Sequence, residues 1–211
     1  MKTEVALGID VGGTNTAFGF VDVNGNCIAD SSIQTKAHNS AADLFARLHP
    51  EIEKIYNSIS DKCILKGIGV GAPNANYYRG TVENPPNLKW GVVNVVEILR
   101  QYYDVPVAIT NDANASAIGE MLFGAAKGMK DFIVITLGTG LGSGVVVDGK
   151  LVYGSDGFAG EIGHTVYDHN GRQCGCGRKG CLETYASATG IKRTVMELIA
   201  NSNEDSALRN I

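Results

Sequence analysis

Apolar residues recur along this chain with two different spacings, and each change of spacing marks an element. Residues 5–9 are apolar, residues 10–14 read Asp-Val-Gly-Gly-Thr, residues 16–23 alternate, and Asn24-Gly25 is a strong two-residue hairpin signal. Residues 4–30 therefore read as strand, turn, strand, turn, strand. From residue 40 to 59 the spacing becomes helical. Leu44, Leu48, Ile52, Ile55 and Ile59 share a face, and Ser40 with Asp43 resembles a capping box. Pro50 lies inside this stretch and predicts a break or kink near His49. Residues 64–71 read as a buried strand. Residues 72–91, rich in Pro, Gly and Asn, read as a long loop or irregular hairpin, and residues 92–103 as an amphipathic helix. A strand at 105–110 and a helix at 113–123 follow.

The second half restates the first. An apolar run at 132–137 leads into the glycine-rich stretch 138–144, then a short strand at 145–147, an Asp148-Gly149 turn and a strand at 151–153. Two lobes, each presenting a glycine-rich β-turn, are implied. The boundary is expected in the helix after Asp112, dividing the chain into 1–117 and 118–211. Residues 182–188 and 191–201 read as helices. The second lobe has its opening strands but few elements to cover them, so a piece of a longer protein is expected.

Composition narrows the class. Of 211 residues, 44% are hydrophobic and 19% charged, ordinary for a soluble globular protein. The net charge of −4 gives no electrostatic reason to expect nucleic acid or an anionic membrane as partner. The first residues lack the basic flank and apolar core of a signal peptide, and no apolar run approaches the ~20 residues that span a bilayer. Cys174, Cys176 and Cys181 sit at metal-ligand spacing, while Cys27 and Cys63 lie in strand-like contexts. That usage suits a reducing cytoplasm better than a disulfide framework.

The glycine turns exclude two common nucleotide sites. A Walker loop needs Gly-Lys-Ser/Thr and a following helix, and a dinucleotide fold needs a helix N-terminus at the pyrophosphate. Here a strand follows each turn, which leaves a β-turn phosphate site or a plain tight hairpin. In the first reading, Gly12 and Gly13 let phosphate oxygens approach the backbone, Thr14 donates, and Asp10 orients a hydrated Mg²⁺. Thr139 and Gly140 would act likewise from the other lobe. Asn111-Asp112 closes a strand and opens a helix. Asp112 is either a cap or a base that accepts the proton of an attacking hydroxyl. His164, Cys174, Cys176 and Cys181 form a complete tetrahedral zinc set. His169 is a competing fourth ligand, and a disulfide between two of the cysteines is the alternative. Glu161, His164 and Glu183 are polar groups of the kind that hold sugar hydroxyls.

Together these motifs resemble the ROK family of repressors and sugar kinases: DVGGT at 10–14, GVGAP at 69–73, NPPNLKW at 84–90, TNDANA at 110–115, LGTGLGSG at 137–144, GEIGH at 160–164 and CGCGRKGCLE at 174–183. The resemblance implies an α/β, two-lobed, actin-like or hexokinase-like ATPase fold with ribonuclease H-like lobes. ATP and sugar would lie between the lobes. It implies ATP-dependent phosphorylation of a hexose, glucose to glucose 6-phosphate first among the candidates, with N-acetylmannosamine, N-acetylglucosamine and fructose as alternatives. Asp112 would be the base. Asn87, Asn111, Asp112, Glu161, His164 and Glu183 would bind the sugar, and His164 with the three cysteines a structural Zn²⁺. The DVGGT and LGTG turns would face the ATP phosphates, and a homodimer is implied at full length. Family members are longer, with an adenosine-binding segment and a final helix beyond the part matched here. The family's repressors carry a DNA-binding helix-turn-helix before the first glycine turn, for which nine residues leave no room. A non-catalytic sugar sensor and an actin- or chaperone-class ATPase are the competing readings.

Overall fold

The computed structural model describes residues 1–203 and 205–210. The first three strands, β1 (Thr3–Val11), β2 (Asn15–Asp22) and β3 (Cys27–Gln34), form an antiparallel meander. Helix α1 (Ala41–Ile59) then crosses back, so that β4 (Cys63–Gly71) pairs parallel to β1. The α1 N-terminus is set by Ser40, whose Oγ accepts the Asp43 N–H at 3.2 Å. The break expected near His49 does not occur, and the helix runs on through Pro50. Leu44, Phe45, Leu48 and Ile52 are all buried on either side of that proline, so packing holds both halves to the sheet despite one lost backbone hydrogen bond.

A small three-stranded sheet follows, made of β5 (Ala75–Asn76), β6 (Thr81–Glu83) and β7 (Val92–Asn94) in that order. Residues 92–94, expected to be helical, pair with β6 because Val92 and Val93 are β-branched. The helix α2 (Val95–Arg100) starts only after Asn94, whose side chain caps it by accepting the Glu97 N–H at 3.1 Å. Strand β8 (Val107–Thr110) then joins β4 in parallel, completing a five-stranded sheet of order β3-β2-β1-β4-β8. One face of that sheet is the core. Val5, Leu7, Ile9 and Val11 alternate into it from β1 and meet Phe18, Phe20, the apolar stripe of α1 and Leu99. The opposite face carries Gly8, Ala17, Gly19, Gly69 and Ala108 and forms part of a cleft wall.

Helix α3 (Asp112–Phe123) leads to a second sheet of β9 (Phe132–Leu137), β10 (Leu141–Val147) and β11 (Lys150–Leu151), in the order β11-β10-β9. Like β1–β3 it is an antiparallel meander. The glycine run divides here. Residues 138–140 make the turn, whereas Gly142 and Gly144 lie inside β10 because α3 rests on them. A Cβ at Gly142 would sit 2.9 Å from Ala113 Cβ, and one at Gly144 2.5 Å from Ala117 Cβ. Helix α3 packs chiefly on β10 and β9. A short 3₁₀ helix (Ile162–His164), helices α4 (Glu183–Ala186) and α5 (Ala188–Asn201) and a final 3₁₀ turn (Ala207–Asn210) complete the fold. Residues 189–190, expected to separate two helices, belong to α5. The separation lies at Ser187, which caps α5 through the Gly190 N–H at 3.0 Å. Among the described residues no helix is long and apolar enough to cross a membrane.

Candidate active site

A cleft of about 1200 Å³ opens between the small-residue face of the first sheet and the second sheet with its following segment. The ends of β1 and β4, the N-terminus of α3, the 138–140 turn and the residues from 161 to 183 converge on it. Asp10, Gly12, Asn87, Asn111, Asp112, Thr139, Gly140, Glu161, His164 and Glu183 all line its wall.

Two residues of the first glycine turn are placed differently. Gly13 lies against Asn87, where a Cβ would come 3.1 Å from Asn87 Cβ, so the turn and the 84–90 loop pack closely. Thr14 is exposed and off the cleft wall, and its carbonyl accepts the Thr35 N–H at 2.9 Å. The turn itself is closed by Gly12 N–H donating to the Asn15 carbonyl at 3.1 Å.

Asn111 caps α3, and Asp112 is its first helical residue. Both side chains accept the Ala113 N–H at 2.8 Å, which anchors them at the positive end of the helix. Gly71 of β4 lies beside them. A Cβ there would lie 3.7 Å from Asp112 Cα and 3.9 Å from Asp10 Oδ1. Burial, and secondarily the nearby Asp112, raise the Asp10 pKa above the ordinary aspartate value. Glu161 is also raised, first by burial, and by the charges of Asp112 and Glu183, with His164 opposing. These five groups therefore share one electrostatic environment.

Glu161 is set by the backbone beneath it. Ser143 Oγ of β10 donates to the Gly160 carbonyl and accepts the Ile162 N–H at 3.1 Å, so residues 160–162 are fastened to the second sheet. Gly160 takes φ +87°, a region that favours glycine. Glu183 Oε2 accepts the Leu141 N–H at 3.0 Å and occupies the space where a Gly140 side chain would begin.

The ligand atoms of His164, Cys174, Cys176 and Cys181 lie within 4.8 Å of one another. His164 Nδ1 is 3.6 Å from Cys174 Sγ, and Cys176 Sγ is 3.6 Å from Cys181 Sγ. Tetrahedral Zn²⁺, with bonds of about 2.0–2.3 Å, needs edges of about that length. A disulfide needs about 2.05 Å, and all three cysteines are free. His169 is exposed and outside the cluster. The donor set thus fits Zn²⁺ with His164 as the fourth ligand. Burial pushes the Cys174 thiol up to about 12, whereas a backbone hydrogen bond from Arg178 brings Cys176 down to about 6.

Sequence reasoning missed several residues around the cleft. Ala188 N–H donates to the Gly138 carbonyl at 3.0 Å and Thr189 Oγ1 to the Thr139 carbonyl at 2.7 Å, so the first turn of α5 steadies the second glycine turn. The Ser187-x-Thr189 pattern before an apolar-periodic stretch was the available signal. Buried Asn76 donates to the Asp156 carbonyl at 2.9 Å, and Tyr77 stacks on Tyr153 at 4.3 Å, joining the small sheet to residues 153–157. No local pattern announces those long-range contacts.

The ROK family model matches residues 6–211. This chain belongs to the ROK family. Among its relatives, the glucokinase of Halalkalibacterium halodurans is 38% identical over 94% of this chain and 61% of its own length. The xylose repressor of Caldicellulosiruptor bescii is 37% identical over 94% of this chain and 50% of its own length. The crystal structure of a ROK family glucokinase from Streptomyces griseus, in complex with glucose and AMPPNP, superposes with a TM-score of 0.76 at 35% identity, covering 94% of this chain and 62% of that one. The chain thus spans between half and two thirds of the length of these relatives. The hexokinase-like fold expected from the ROK motifs is borne out, with a second sheet of three strands.

Proposed function

We propose that this chain carries the sugar site and phosphate turns of an ATP-dependent hexose kinase, acting on glucose to give glucose 6-phosphate. The single observation that carries the reading is the convergence of Asp112, Glu161, His164 and Glu183 on one cleft wall with Asp10 and the 138–140 turn. The glucokinases among its relatives support the same reading.

Asn87, Asn111, Glu161, His164 and Glu183 would hold the sugar hydroxyls. Asp112 would take the proton of the attacking hydroxyl as its oxygen bonds to the γ-phosphorus and the bond from that phosphorus to the bridging β–γ oxygen breaks, releasing ADP. The hydroxyl acidifies only as the new bond forms, so its proton passes to Asp112 late in the step. Gly13, Thr139 and Gly140 would offer backbone N–H groups to phosphate oxygens, and exposed Thr14 its hydroxyl, whereas the Gly12 N–H is already given to the Asn15 carbonyl. Asp10 would orient a hydrated Mg²⁺, which supplies charge neutralisation at the phosphates when bound. Zn²⁺ on His164 and the three cysteines would fix the imidazole, leaving Nε2 for a sugar hydroxyl.

The test is coupled ADP release across glucose, N-acetylmannosamine, N-acetylglucosamine and fructose, beside calorimetric sugar binding. Asp112→Asn is expected to lower turnover by at least about a hundredfold, the scale of general-base catalysis, with sugar affinity retained. Turnover surviving in that variant refutes Asp112 as base. The xylose repressor relative favours a second reading, a sugar sensor using the same cleft without transfer. Sugar binding with no ADP release from any hexose would select it.

A further inference from the structure

Glu183 occupies a junction that neither sugar binding nor metal ligation accounts for. It follows the ligand Cys181 by two residues and opens α4. Its Oε1 lies 3.8 Å from the sulfur of a second ligand, Cys174, and its Oε2 accepts the Leu141 N–H at 3.0 Å. Leu141 is the first residue of β10 after the second glycine turn. The carboxylate also fills the volume beside Gly140 that any Cβ would claim. One side chain therefore touches the metal cluster and the turn together.

The loop that delivers Glu183 has few buried side chains and is held chiefly by backbone hydrogen bonds. Between Arg172 and Leu182, Cys174, Gly180 and Cys181 are the buried residues, and the stretch from 175 to 179 is exposed. Its backbone is fastened by Leu182 N–H to the Thr165 carbonyl at 2.9 Å, Tyr167 N–H to the Gly180 carbonyl at 2.7 Å, Gly180 N–H to the Arg172 carbonyl at 2.8 Å and Cys174 N–H to the Arg178 carbonyl at 2.9 Å, with isolated pairings of Val166 with Cys181 and Gln173 with Lys179. Joining Cys174, Cys176, Cys181 and His164 to one ion would close this loop and fix the backbone from which Glu183 projects.

We propose that Glu183 is a positioning residue that transmits metal occupancy of the His164–Cys174–Cys176–Cys181 cluster to the second glycine turn. Loading the cluster locks the carboxylate on Leu141 and sets the turn. Emptying it releases the Leu141 N–H and loosens the residues that would face phosphate. The inference rests on the metal reading and is independent of which hexose, if any, is phosphorylated.

Amide hydrogen exchange of Leu141, resolved by NMR on the 211-residue chain with zinc content measured in parallel, tests it. In the zinc-loaded protein the Leu141 amide is expected to exchange slowly. Chelation, or Glu183→Ala with zinc retained, is expected to speed it at least about tenfold, the consequence of losing a hydrogen bond to a charged acceptor. Glu183→Gln keeps an acceptor oxygen and is expected to restore slow exchange. Should Glu183→Ala fail to fold, Gly140→Ala displaces the carboxylate while leaving every ligand in place, and the same acceleration is expected. Unchanged Leu141 exchange in a zinc-loaded Glu183→Ala or Gly140→Ala protein, or in the chelated parent, overturns the proposal. Failure of the kinase reading would appear instead as absent ADP release, with the exchange result unaffected.

Discussion

Replacing Gly144 by alanine adds one carbon where α3 lies hard against β10. That carbon would lie 2.5 Å from Ala117 Cβ, 2.9 Å from the Ala113 carbonyl oxygen and 3.3 Å from Asn114 Cα. Ordinary contacts between such atoms are about 3.5–4.0 Å, so the first is short by about 1 Å. None of the three can swing aside, since each belongs to the backbone of α3 or is attached directly to it. The helix must lift from β10, and overpacking of this kind costs about 1–3 kcal/mol. For a chain of this size each kcal/mol lowers Tm by about 2–4 °C, giving a drop of about 2–12 °C. Gly119→Ala is the matched control. It lies on the same helix, is exposed, and has nothing within 4 Å of its added carbon. Helix propensity then favours alanine by about 0.8–1.0 kcal/mol, and Tm is expected to rise. Thermal melts of the two variants beside the parent read the result. If Gly144→Ala melts as high as Gly119→Ala, the close seating of α3 on β10 is refuted.

Asp10→Asn is expected to raise Tm at neutral pH, where the partly desolvated carboxylate is ionised beside Asp112. The folded pKa lies above the unfolded 3.8, so the folded protein binds the proton more tightly and its stability falls as pH rises through that interval. The gain from asparagine should therefore shrink as pH falls through the raised value and vanish below 3.8; a gain equal at all pH would contradict it. Pro50→Ala restores a donor in the middle of α1 at an exposed position. Proline is about 3 kcal/mol worse than alanine inside a helix, and the stiffer unfolded chain returns up to about 1 kcal/mol. A net gain of about 2 kcal/mol, or about 4–8 °C in Tm, is expected, and a lower melting point would refute the account.

The elements written in local spacing were legible. The β1–β2–β3 meander, the stripe of α1 and the repeat in the second sheet follow from alternation, helical period and turn chemistry, and the cysteine cluster from ligand spacing. What was misread needed knowledge of a distant partner. Gly142 and Gly144 look like turn residues until α3 is laid on them. Val92 and Val93 fit a helical stripe as well as a strand, and only pairing with β6 decides. Pro50 should break α1, but burial on both sides outweighs one missing donor. Spacing alone does not exclude His169, and the fold decides by bringing His164 within reach of the three sulfurs.

The seating of α3 bears on how a closing motion would act. Asp112 follows a strand of the first sheet, but its helix is packed mainly on the second. In any rotation of one sheet relative to the other, Asp112 sits at the pivot, tied to the first sheet through Thr110 and Asn111 and to the second through α3. Asp10, the 12–13 turn and Asn87 belong with the first sheet, and Glu161, His164, Glu183 and the 138–140 turn with the second. Such a swing would open or close both ends of the cleft around Asp112 while leaving that carboxylate nearly in place.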